Sequence, residues 1–330
     1  MKLLITGGER KTHIERYPRW APHEKAKLAV VDVDTGHAAV VLAYETPADA
    51  RPDKDWSIVF KSGSLIGNKL YVCTQTEVLV YDVEKNFEQI GYISLPMFND
   101  LHHVKPATNG NLLVVCTGLD SLIEVTDAGE FVSIRNVLGR DIWDLFSPNV
   151  DYRRVPNTKP HQAHPNYVFE TGDQQVWVTR FEQRDAICMT DPSRRIAIDV
   201  QRPHDGVVRG DEVIFTTVDG HVVIADWPTQ QIKRVVNLNL ITTHGKVLGW
   251  CRGLAFLDTD RIIVGFSRIR ATKYRKAINW AGNRIGHTRL LGRMPTRIAA
   301  YDLNHNQILW EIGLEMIDVD VIFSVLVIDE

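Results

Sequence analysis

The sequence predicts an all-β protein and, within that class, a six-bladed β-propeller whose ring is closed by the two ends of the chain. Short apolar runs rich in Val, Ile, Leu, Tyr and Trp alternate with turns of Gly, Asn and Asp, and no long stretch has the 3.6-residue period of an amphipathic helix. A strand pattern repeats about every 40 residues, which is typical of propeller blades. One strand is missing at the N-terminus, and a spare strand is present at the C-terminus.

The repeat consists of a strand, a turn and a second strand that ends in Asp. Two copies begin at Leu70-Tyr-Val-Cys-Thr and at Leu113-Val-Val-Cys-Thr. The aspartates that end the second strands of six copies are Asp32, Asp82, Asp127, Asp191, Asp226 and Asp302. Turn-forming residues and a further strand follow each Asp, and another apolar segment precedes the first strand in five copies. A complete copy therefore contains four antiparallel strands.

The N-terminal copy, which starts at Leu3, lacks the leading apolar segment, whereas the chain ends with a spare apolar run at residues 322–328. Pairing these two ends completes six blades and hides both edges of the terminal sheet. A β-sandwich or two separate β-domains would not explain why the missing strand and the spare strand are at opposite ends. We therefore expect a single domain over residues 1–330.

Three segments do not fit the repeat, at about residues 8–26, 138–161 and 268–296. They are predicted to be insertions between strands, and loops on a rigid scaffold often carry binding and catalytic residues. Each is therefore a candidate lid over the central channel.

The third insertion is strongly basic. It contains no acidic residue and has aromatic residues among its cations, which are Arg268, Arg270, Lys273, Arg275, Lys276, Arg284, Arg289, Arg293 and Arg297. Such a segment could close over an acidic small substrate, bind phosphate or nucleic acid, or be a solvated loop. Because no basic track is evident elsewhere, a lid is favoured over nucleic acid. The turn that carries it can lie on either face of the disc.

In a propeller the first strand of every blade lines the central channel, so equivalent positions near its start form a ring at one mouth. Counting back from the second strands gives Lys61, His102, His164, His204 and Arg252, with the neighbourhood of Phe323 in sixth place. Three consecutive blades therefore direct a histidine at one volume. His103 is adjacent to His102, and only one of them enters the ring because neighbouring strand residues point to opposite sides.

Three neutral imidazoles on rigid strands are a frequent ligand set of catalytic metal sites that keep one position open. His102, His164 and His204 are therefore the candidate ligands of one divalent transition metal, with zinc expected first and manganese, iron or copper as alternatives. Such an ion lowers the pKa of a bound water and polarises a carbonyl group. Arg252 and Lys61 are candidate catalytic residues that would hold a carboxylate or stabilise developing negative charge.

Asp205, which follows His204, is a third candidate catalytic residue. It could orient an imidazole or act as a general base, although an Asp before Gly is often a turn or bulge residue. The alternative for the whole ring is that polar side chains fill a wet channel and bond to water.

Composition excludes several classes of protein. With 38 Lys and Arg against 41 Asp and Glu, the net charge is -3, so the overall charge does not indicate nucleic acid or an anionic membrane. The four cysteines lie far apart without a CxxC pair, which argues against a disulfide framework and a zinc ribbon. No window reaches the roughly 18 to 20 apolar residues of a membrane span, and the N-terminal apolar run is too short for a signal peptide. We expect a soluble, cytoplasmic protein.

Several motifs together resemble a known family. They are Leu-His-His-Val at 101–104, Ala-His-Pro-Asn at 163–166, Arg-Pro-His-Asp-Gly at 202–206, Cys-Arg-Gly-Leu-Ala-Phe at 251–256 and Val-Gly-Phe-Ser-Arg at 264–268. The likeness is to a family of uncharacterised bacterial six-bladed propeller proteins and covers most of residues 57–330. It implies the architecture and the ring positions but no reaction. The chain departs from that family at Ile322 and Phe323, where a Tyr-Asp pair would be expected.

By architecture alone, the ring is also similar to the lyase half of the peptide-amidating enzymes. That lyase is a six-bladed propeller that uses three channel histidines for zinc beside an arginine. Two hypotheses follow for this chain. One is a metal-dependent enzyme, a lyase or hydrolase, acting on a small anionic or carbonyl-bearing substrate at the channel mouth. The other is a non-catalytic propeller scaffold that binds a protein or metabolite partner.

Overall fold

The structure is a computed structural model that describes residues 1–13, 16–18, 20–242, 246–269 and 294–328. These residues form six four-stranded antiparallel sheets, so the prediction of an all-β, six-bladed propeller is confirmed. The strands are β1 (Lys2–Arg10), β2 (His23–Asp32), β3 (Ala38–Tyr44), β4 (Gly63–Ile66), β5 (Lys69–Cys73), β6 (Val78–Asp82), β7 (Glu88–Ile93), β8 (Leu101–Pro106), β9 (Leu112–Cys116), β10 (Ser121–Val125), β11 (Phe131–Asn136), β12 (Pro165–Glu170), β13 (Val176–Arg180), β14 (Asp185–Cys188), β15 (Arg195–Ala197), β16 (Val207–Arg209), β17 (Glu212–Thr216), β18 (His221–Asp226), β19 (Gln231–Asn237), β20 (Trp250–Phe256), β21 (Arg261–Ser267), β22 (Arg297–Asp302), β23 (Gln307–Gly313) and β24 (Val321–Ile328).

Helical structure within the described residues is confined to short segments. There is one four-residue helix, α1 (Leu238–Ile241). Single 3₁₀ turns lie at Ala48–Ala50, Thr117–Leu119, Ile142–Asp144, Tyr152–Arg154 and Glu315–Ile317. In this part of the chain no helix is long and apolar enough to cross a bilayer.

The blades follow the chain order. Blade 1 has the strand order β24-β1-β2-β3, blade 2 contains β4 to β7, blade 3 β8 to β11, blade 4 β12 to β15, blade 5 β16 to β19 and blade 6 β20 to β23. The innermost strands are therefore β24, β4, β8, β12, β16 and β20. Each blade is a meander in which consecutive strands are antiparallel neighbours, so its pairing is local in sequence.

The ring is closed by pairing of the two ends of the chain, as predicted. Strand β24 runs antiparallel to β1 in a register that pairs Leu4 with Leu326 and Thr6 with Ser324. The register shifts between Thr6 and Gly7, which is a bulge. A Cβ atom at Gly7 would lie 1.9 Å from the carbonyl oxygen of Val321, so only glycine fits this close approach.

The core lies between the blades. Adjacent residues of β1 point to opposite blades: Leu3 packs in a cluster with Ile263 of blade 6, whereas Leu4 packs in a cluster with Phe60 and Leu70 at blade 2. All of these side chains are fully buried. Because the middle strands are covered on both faces, their sequences are continuous apolar runs without a polar alternation.

The repeated Asp of the sequence has a turn-forming role at several blades. Oδ1 of Asp32 accepts hydrogen bonds from the backbone N–H groups of Asp34 and Thr35, and Oδ1 of Asp302 accepts from those of Asn304 and His305. These contacts satisfy the backbone of the turn that leads to the outer strand. Backbone hydrogen bonds lower the pKa of both carboxyls, so both are charged at neutral pH.

The longer connecting segments lie on the face of the disc opposite to these aspartate turns, beside the starts of the innermost strands. Strand β1 ends at Arg10 and β2 begins at His23, and a long segment with two 3₁₀ turns joins β11 to β12. Ser267, the last residue of β21, pairs with Trp250 at the start of β20, so the basic segment leaves the blade on this same face. The cations of that segment at Arg270, Lys273, Arg275, Lys276, Arg284, Arg289 and Arg293 lie outside the described residues.

Candidate functional site

Four of the predicted ring residues surround the aromatic ring of the sixth, Phe323 on β24. The ring centroid of Phe323 lies 6.3 Å from that of His102 and 5.9 Å from that of His204. The guanidinium carbon of Arg252 is 4.0 Å from the same centroid, and Nζ of Lys61 is 4.9 Å from it. We call the volume above these side chains the mouth.

The third histidine completes the group. The ring centroid of His164 lies 5.1 Å from that of His102, and His102 lies 6.3 Å from His204. The three side chains come from or just before β8, β12 and β16, the innermost strands of three neighbouring blades. The structure thus places every residue of the sequence-derived ring at one end of the channel.

His102 is held in one tautomer by its surroundings. Its Nδ1 is 2.9 Å from the backbone oxygen of Asp100 and 2.8 Å from the hydroxyl oxygen of Thr117. The Thr117 hydroxyl donates its proton to the backbone oxygen of Pro165, so toward His102 it accepts. Both neighbours of Nδ1 are therefore acceptors, which places the proton on Nδ1 and a lone pair on Nε2. Burial lowers the pKa of His102 well below its usual range, and the charge of Lys61 lowers it further.

His204 is oriented in the same way by Asp205. Its Nδ1 lies 3.4 Å from Oδ1 of Asp205 and donates to that carboxylate. The side chain is only 4% exposed. Its Nε2 is buried and has no hydrogen-bond partner among the described residues. Burial lowers the pKa of this imidazole as well. A buried nitrogen lone pair without a donor marks a position that a ligand can fill.

Asp205 is tied into the fold by its second oxygen. Oδ2 accepts a 2.9 Å hydrogen bond from the backbone N–H of Gly253 and another from the hydroxyl of Thr216. The carboxylate therefore joins blade 5 to blade 6 and points its other oxygen at His204. Of the two roles predicted from the sequence, this placement fits the orienting role.

His164 is positioned by a tight turn before β12. Its φ is 52°, in the left-handed region. The carboxylate of Asp120 accepts hydrogen bonds from three consecutive backbone N–H groups, those of Gln162, Ala163 and His164, at 2.6, 3.1 and 2.7 Å. Nδ1 of His164 is 2.8 Å from Nδ1 of His161. Burial lowers the pKa of His164 well below its usual range and also lowers that of His161.

His103 points away from the mouth. Its ring stacks on Tyr167 at a centroid distance of 3.7 Å and an angle of 12°. Its Nδ1 accepts a 3.2 Å hydrogen bond from the backbone N–H of Val168. The side chain thus packs between blades 3 and 4, and His102 is the histidine of this pair that faces the mouth.

Lys61 forms a buried ion pair. Its Nζ lies 3.0 Å from Oδ1 of Asp100, and both side chains are largely buried. Burial lowers the pKa of Lys61. For Asp100, burial acts to raise the pKa, but the charges of Lys61 and of the neighbouring His102, Lys159 and His161 together hold it well below its usual range. Part of the Lys61 charge is therefore balanced by Asp100, and the guanidinium of Arg252 is the second cation at this ring.

The mouth opens into a cavity of about 200 Å³. Its charged lining residues within the described part of the chain are Arg10, Lys61, Asp100, Lys159, Arg252 and Arg268. Five cations therefore face one carboxylate, and a concave site of one sign concentrates its potential on ligands of the opposite sign. Trp20 and Trp250 add apolar surface.

Of the predicted lid, the structure describes residues 268–269 and 294–296, and Arg297 follows them at the start of β22. Arg268 lines the cavity and pairs with Glu315 at 3.0 Å. Arg297 is buried and pairs with Glu311 at 2.6 Å, with a further hydrogen bond to the backbone oxygen of Leu248. Arg297 therefore has a structural role within blade 6.

The predicted metal ligands are neighbours, but their donor atoms are not drawn together. Among the described residues, no group of three or more His, Cys, Asp or Glu side chains is arranged to hold a metal ion as it stands. To bind one ion, His102, His164 and His204 would have to direct Nε2 to a common point. The metal stays a prediction.

Sequence reasoning did not assign roles to several residues of the site. Asp100 pairs with Lys61, Thr117 holds His102, and Asp120 holds the turn of His164. Asp100 and Asp120 both have positive φ, at 46° and 47°. Asp tolerates this conformation better than most residues. An Asp at the boundary of a strand was therefore the sequence feature that could have indicated these two residues.

Solved structures of other proteins share this fold. A protein of unknown function from Bacteroides caccae is similar to this chain with a TM-score of 0.59 and 14% sequence identity, over 98% of this chain and 97% of that chain. A streptogramin B lyase is similar with a TM-score of 0.51 and 11% identity, over 96% and 85%. A catalytically inactive virginiamycin B lyase from Staphylococcus aureus with quinupristin has a TM-score of 0.47 and 12% identity, over 72% and 69%.

No protein-family model matches the chain, and no curated protein is significantly similar to it in sequence. At the identities of the solved structures, the likeness shows the fold alone. It agrees with the propeller architecture that the motif resemblance implied.

Proposed function

We propose that the mouth is an active site that binds one divalent transition metal, zinc in the first instance, through His102, His164 and His204. Acting as a lyase or hydrolase, it would take a small anionic or carbonyl-bearing substrate. The observation that carries this proposal is the set of three imidazoles from neighbouring blades, each engaged through Nδ1, of which His102 and His204 are buried and His164 is partly buried. Ligating histidines in metal sites are characteristically held through their second nitrogen in this manner.

Each residue has a role that its contacts support. Arg252 stacks on Phe323, and its planar guanidinium suits a carboxylate, which it can bind through two parallel hydrogen bonds. Lys61 adds positive charge where negative charge would develop on a substrate oxygen. Asp205 keeps the proton of His204 on Nδ1, and Asp100 does the same for His102 through its backbone oxygen. A bound metal would supply Lewis acidity and an activated water.

The similar fold of a streptogramin B lyase supports an enzyme on this scaffold but does not assign its reaction. The proposal therefore depends on the residues of this chain.

Removal of any of the three histidines is expected to abolish stoichiometric metal binding. Wild-type protein should contain about one transition metal per chain by elemental analysis, and His102→Ala, His164→Ala and His204→Ala should each weaken zinc binding in calorimetry. The loss should exceed the roughly 10- to 100-fold cost of changing a residue that only orients a ligand. His37→Ala, at an exposed position, is the matched control. Metal-free wild-type protein that also fails to take up zinc would rule out the metal.

A non-catalytic propeller that binds an anionic metabolite is the second candidate function. The cation-rich lining of the cavity favours it, because five cations against one carboxylate would attract an anion without any metal.

Arg252→Gln is expected to weaken binding of small carboxylates about 10- to 100-fold, since hydrogen bonds to a charged group contribute about 1.5–3 kcal/mol. The measurement is calorimetric titration with mono- and dicarboxylates at low and high salt, with and without zinc. Lys85→Gln, at a turn on the opposite face, is the control for general charge. Carboxylate binding that needs zinc supports the enzyme, and binding in the presence of a chelator supports the metabolite-binding scaffold. If no carboxylate distinguishes Arg252→Gln from wild type, Arg252 is not an anion ligand.

A further inference from the structure

His164 differs from the other two histidines because a second histidine, His161, occupies its Nδ1. We infer that a chain of hydrogen bonds running from the segment between β11 and β12 through His161 fixes the proton of His164 on Nδ1. Asn99, Thr158 and His161 are then positioning residues for the mouth. The tautomer follows from these contacts alone, while its value for metal binding rests on the proposed function.

The chain begins at Asn99, whose side-chain orientation is unambiguous. Its Nδ2 donates to two backbone oxygens, those of Tyr152 and Val155, each at 2.8 Å. A carbonyl oxygen can only accept, so the NH₂ end of the amide must face this pair. Oδ1 of Asn99 consequently faces the hydroxyl of Thr158, at 3.3 Å.

The hydroxyl group of Thr158 links the side chain of Asn99 to that of His161. An amide oxygen only accepts, so the single hydroxyl proton of Thr158 is used toward Asn99. The hydroxyl oxygen lies 3.2 Å from Nε2 of His161 and can only accept there. Nε2 of His161 therefore carries a proton. In a neutral imidazole only one ring nitrogen carries a proton, so Nδ1 of His161 carries a lone pair.

The last contact fixes His164. Its Nδ1 is 2.8 Å from Nδ1 of His161, and two N–H groups cannot face each other at this distance. With a lone pair on His161, the proton between the rings belongs to His164. Nε2 of His164 is then a lone pair, as Nε2 is in His102 and His204. The two rings also stack at a centroid distance of 5.0 Å, which holds the contact in place.

The consequence is that all three imidazoles have the same tautomer, with the proton on Nδ1 and the lone pair on Nε2. For His102 and His204 the acceptors lie on the blades themselves. For His164 the anchor is the segment that carries Tyr152, Val155 and Thr158, which also supplies lining residues of the cavity. If this segment moved away, the proton of His164 would no longer be fixed on Nδ1, whereas His102 and His204 would keep their tautomers.

Histidine-selective ¹⁵N NMR tests the inference directly, because protonated and unprotonated ring nitrogens have well separated shifts. In metal-free wild-type protein we expect His164, identified by loss of its signals in His164→Gln, to be protonated at Nδ1 and His161 at Nε2. Thr158→Val, which keeps the shape and removes the hydroxyl, should shift His164 toward the Nε2 tautomer. Thr158→Ser should restore the wild-type pattern, and His102 should be unchanged in both variants.

His161→Phe is a second variant that keeps ring stacking and removes both nitrogens, and it should produce the same change at His164. If wild-type His164 carries its proton on Nε2, or if both Thr158→Val and His161→Phe leave its shifts unaltered, the inference is wrong. Zinc titration of the same samples separates the two proposals: we expect Thr158→Val to bind zinc about 10- to 100-fold more weakly than wild type. If wild-type protein shows the expected tautomers but does not bind zinc, the result supports the chain of hydrogen bonds through Thr158 and His161 and excludes the proposed zinc site.

Discussion

Deletion of residues 320–330 is expected to yield a protein that does not fold. The deletion removes β24, the innermost strand of blade 1. It leaves the edge of β1 unpaired and the ring of blades open. Its apolar side chains at Val321, Ile322, Phe323 and Val325 are buried. At about 1.5–3 kcal/mol for each, their loss amounts to roughly 6–12 kcal/mol, which is comparable to the entire stability of a typical protein, about 5–15 kcal/mol.

The measurements are solubility after expression, circular dichroism and thermal unfolding. Deletion of residues 329–330 alone, beyond the end of β24, is the matched control and should melt like wild type. A point variant, Ile322→Asp, tests the same feature at full length by placing a charge in the core between blades 1 and 6. A soluble, cooperatively melting chain without residues 320–330 would contradict closure by β24.

Replacement of Asp205 by Leu is expected to lower the free energy of unfolding by about 1–3 kcal/mol. The backbone N–H of Gly253, a buried donor that cannot turn elsewhere, would lose its acceptor, whereas His204 can move its proton from Nδ1 to Nε2. Each buried donor left without a partner costs about 1–3 kcal/mol. Thr216 would lose its acceptor too, but its hydroxyl can rotate.

Denaturant titration of Asp205→Leu beside Asp205→Asn measures this effect. Asn keeps one carbonyl oxygen as an acceptor, so we expect a smaller loss for it than for Leu. Thr190→Val, at an exposed turn of blade 4, is the control for removing a surface hydrogen bond. Equal unfolding midpoints for Asp205→Leu and wild type would show that the carboxylate does not tie blade 5 to blade 6.

The blade order, the closure and the ring positions could be predicted from the sequence for one physical reason. In an antiparallel meander each strand pairs with its neighbour in the chain, so counting residues along the repeat also counts positions in space. The ring positions hold equivalent places in this count. In the structure Lys61, His102, His204 and Arg252 lie around Phe323, and His164 lies against His102.

The face of the disc on which β21 ends also follows from the strand order of the blade. The end of the second strand of a meander lies beside the start of the first. Since Arg252 near the start of β20 lines the mouth, the turn after Ser267 must open there as well.

The contacts of the mouth were not predictable in this way. Asp100 is 39 residues from Lys61, and Asp120 is 44 residues from His164. Both pairs depend on turns with left-handed backbone whose course is set by the packing of neighbouring blades. His161 could be assigned to the surface or to the support of a ligand from its sequence position, and only the fold brings its ring against His164.

The turns formed by the repeated aspartates and the long connecting segments lie on opposite faces of the disc. On the face away from the mouth, the carboxylates of Asp32, Asp82 and Asp302 each accept hydrogen bonds from the backbone N–H groups two and three residues further along the chain. The long connecting segments within the described residues open on the other face. An affinity tag, a fluorophore or a whole partner domain inserted into a loop near the mouth would therefore lie close to the candidate site, whereas a surface tether attached through an exposed side chain such as Lys85 would leave the cavity open to solution.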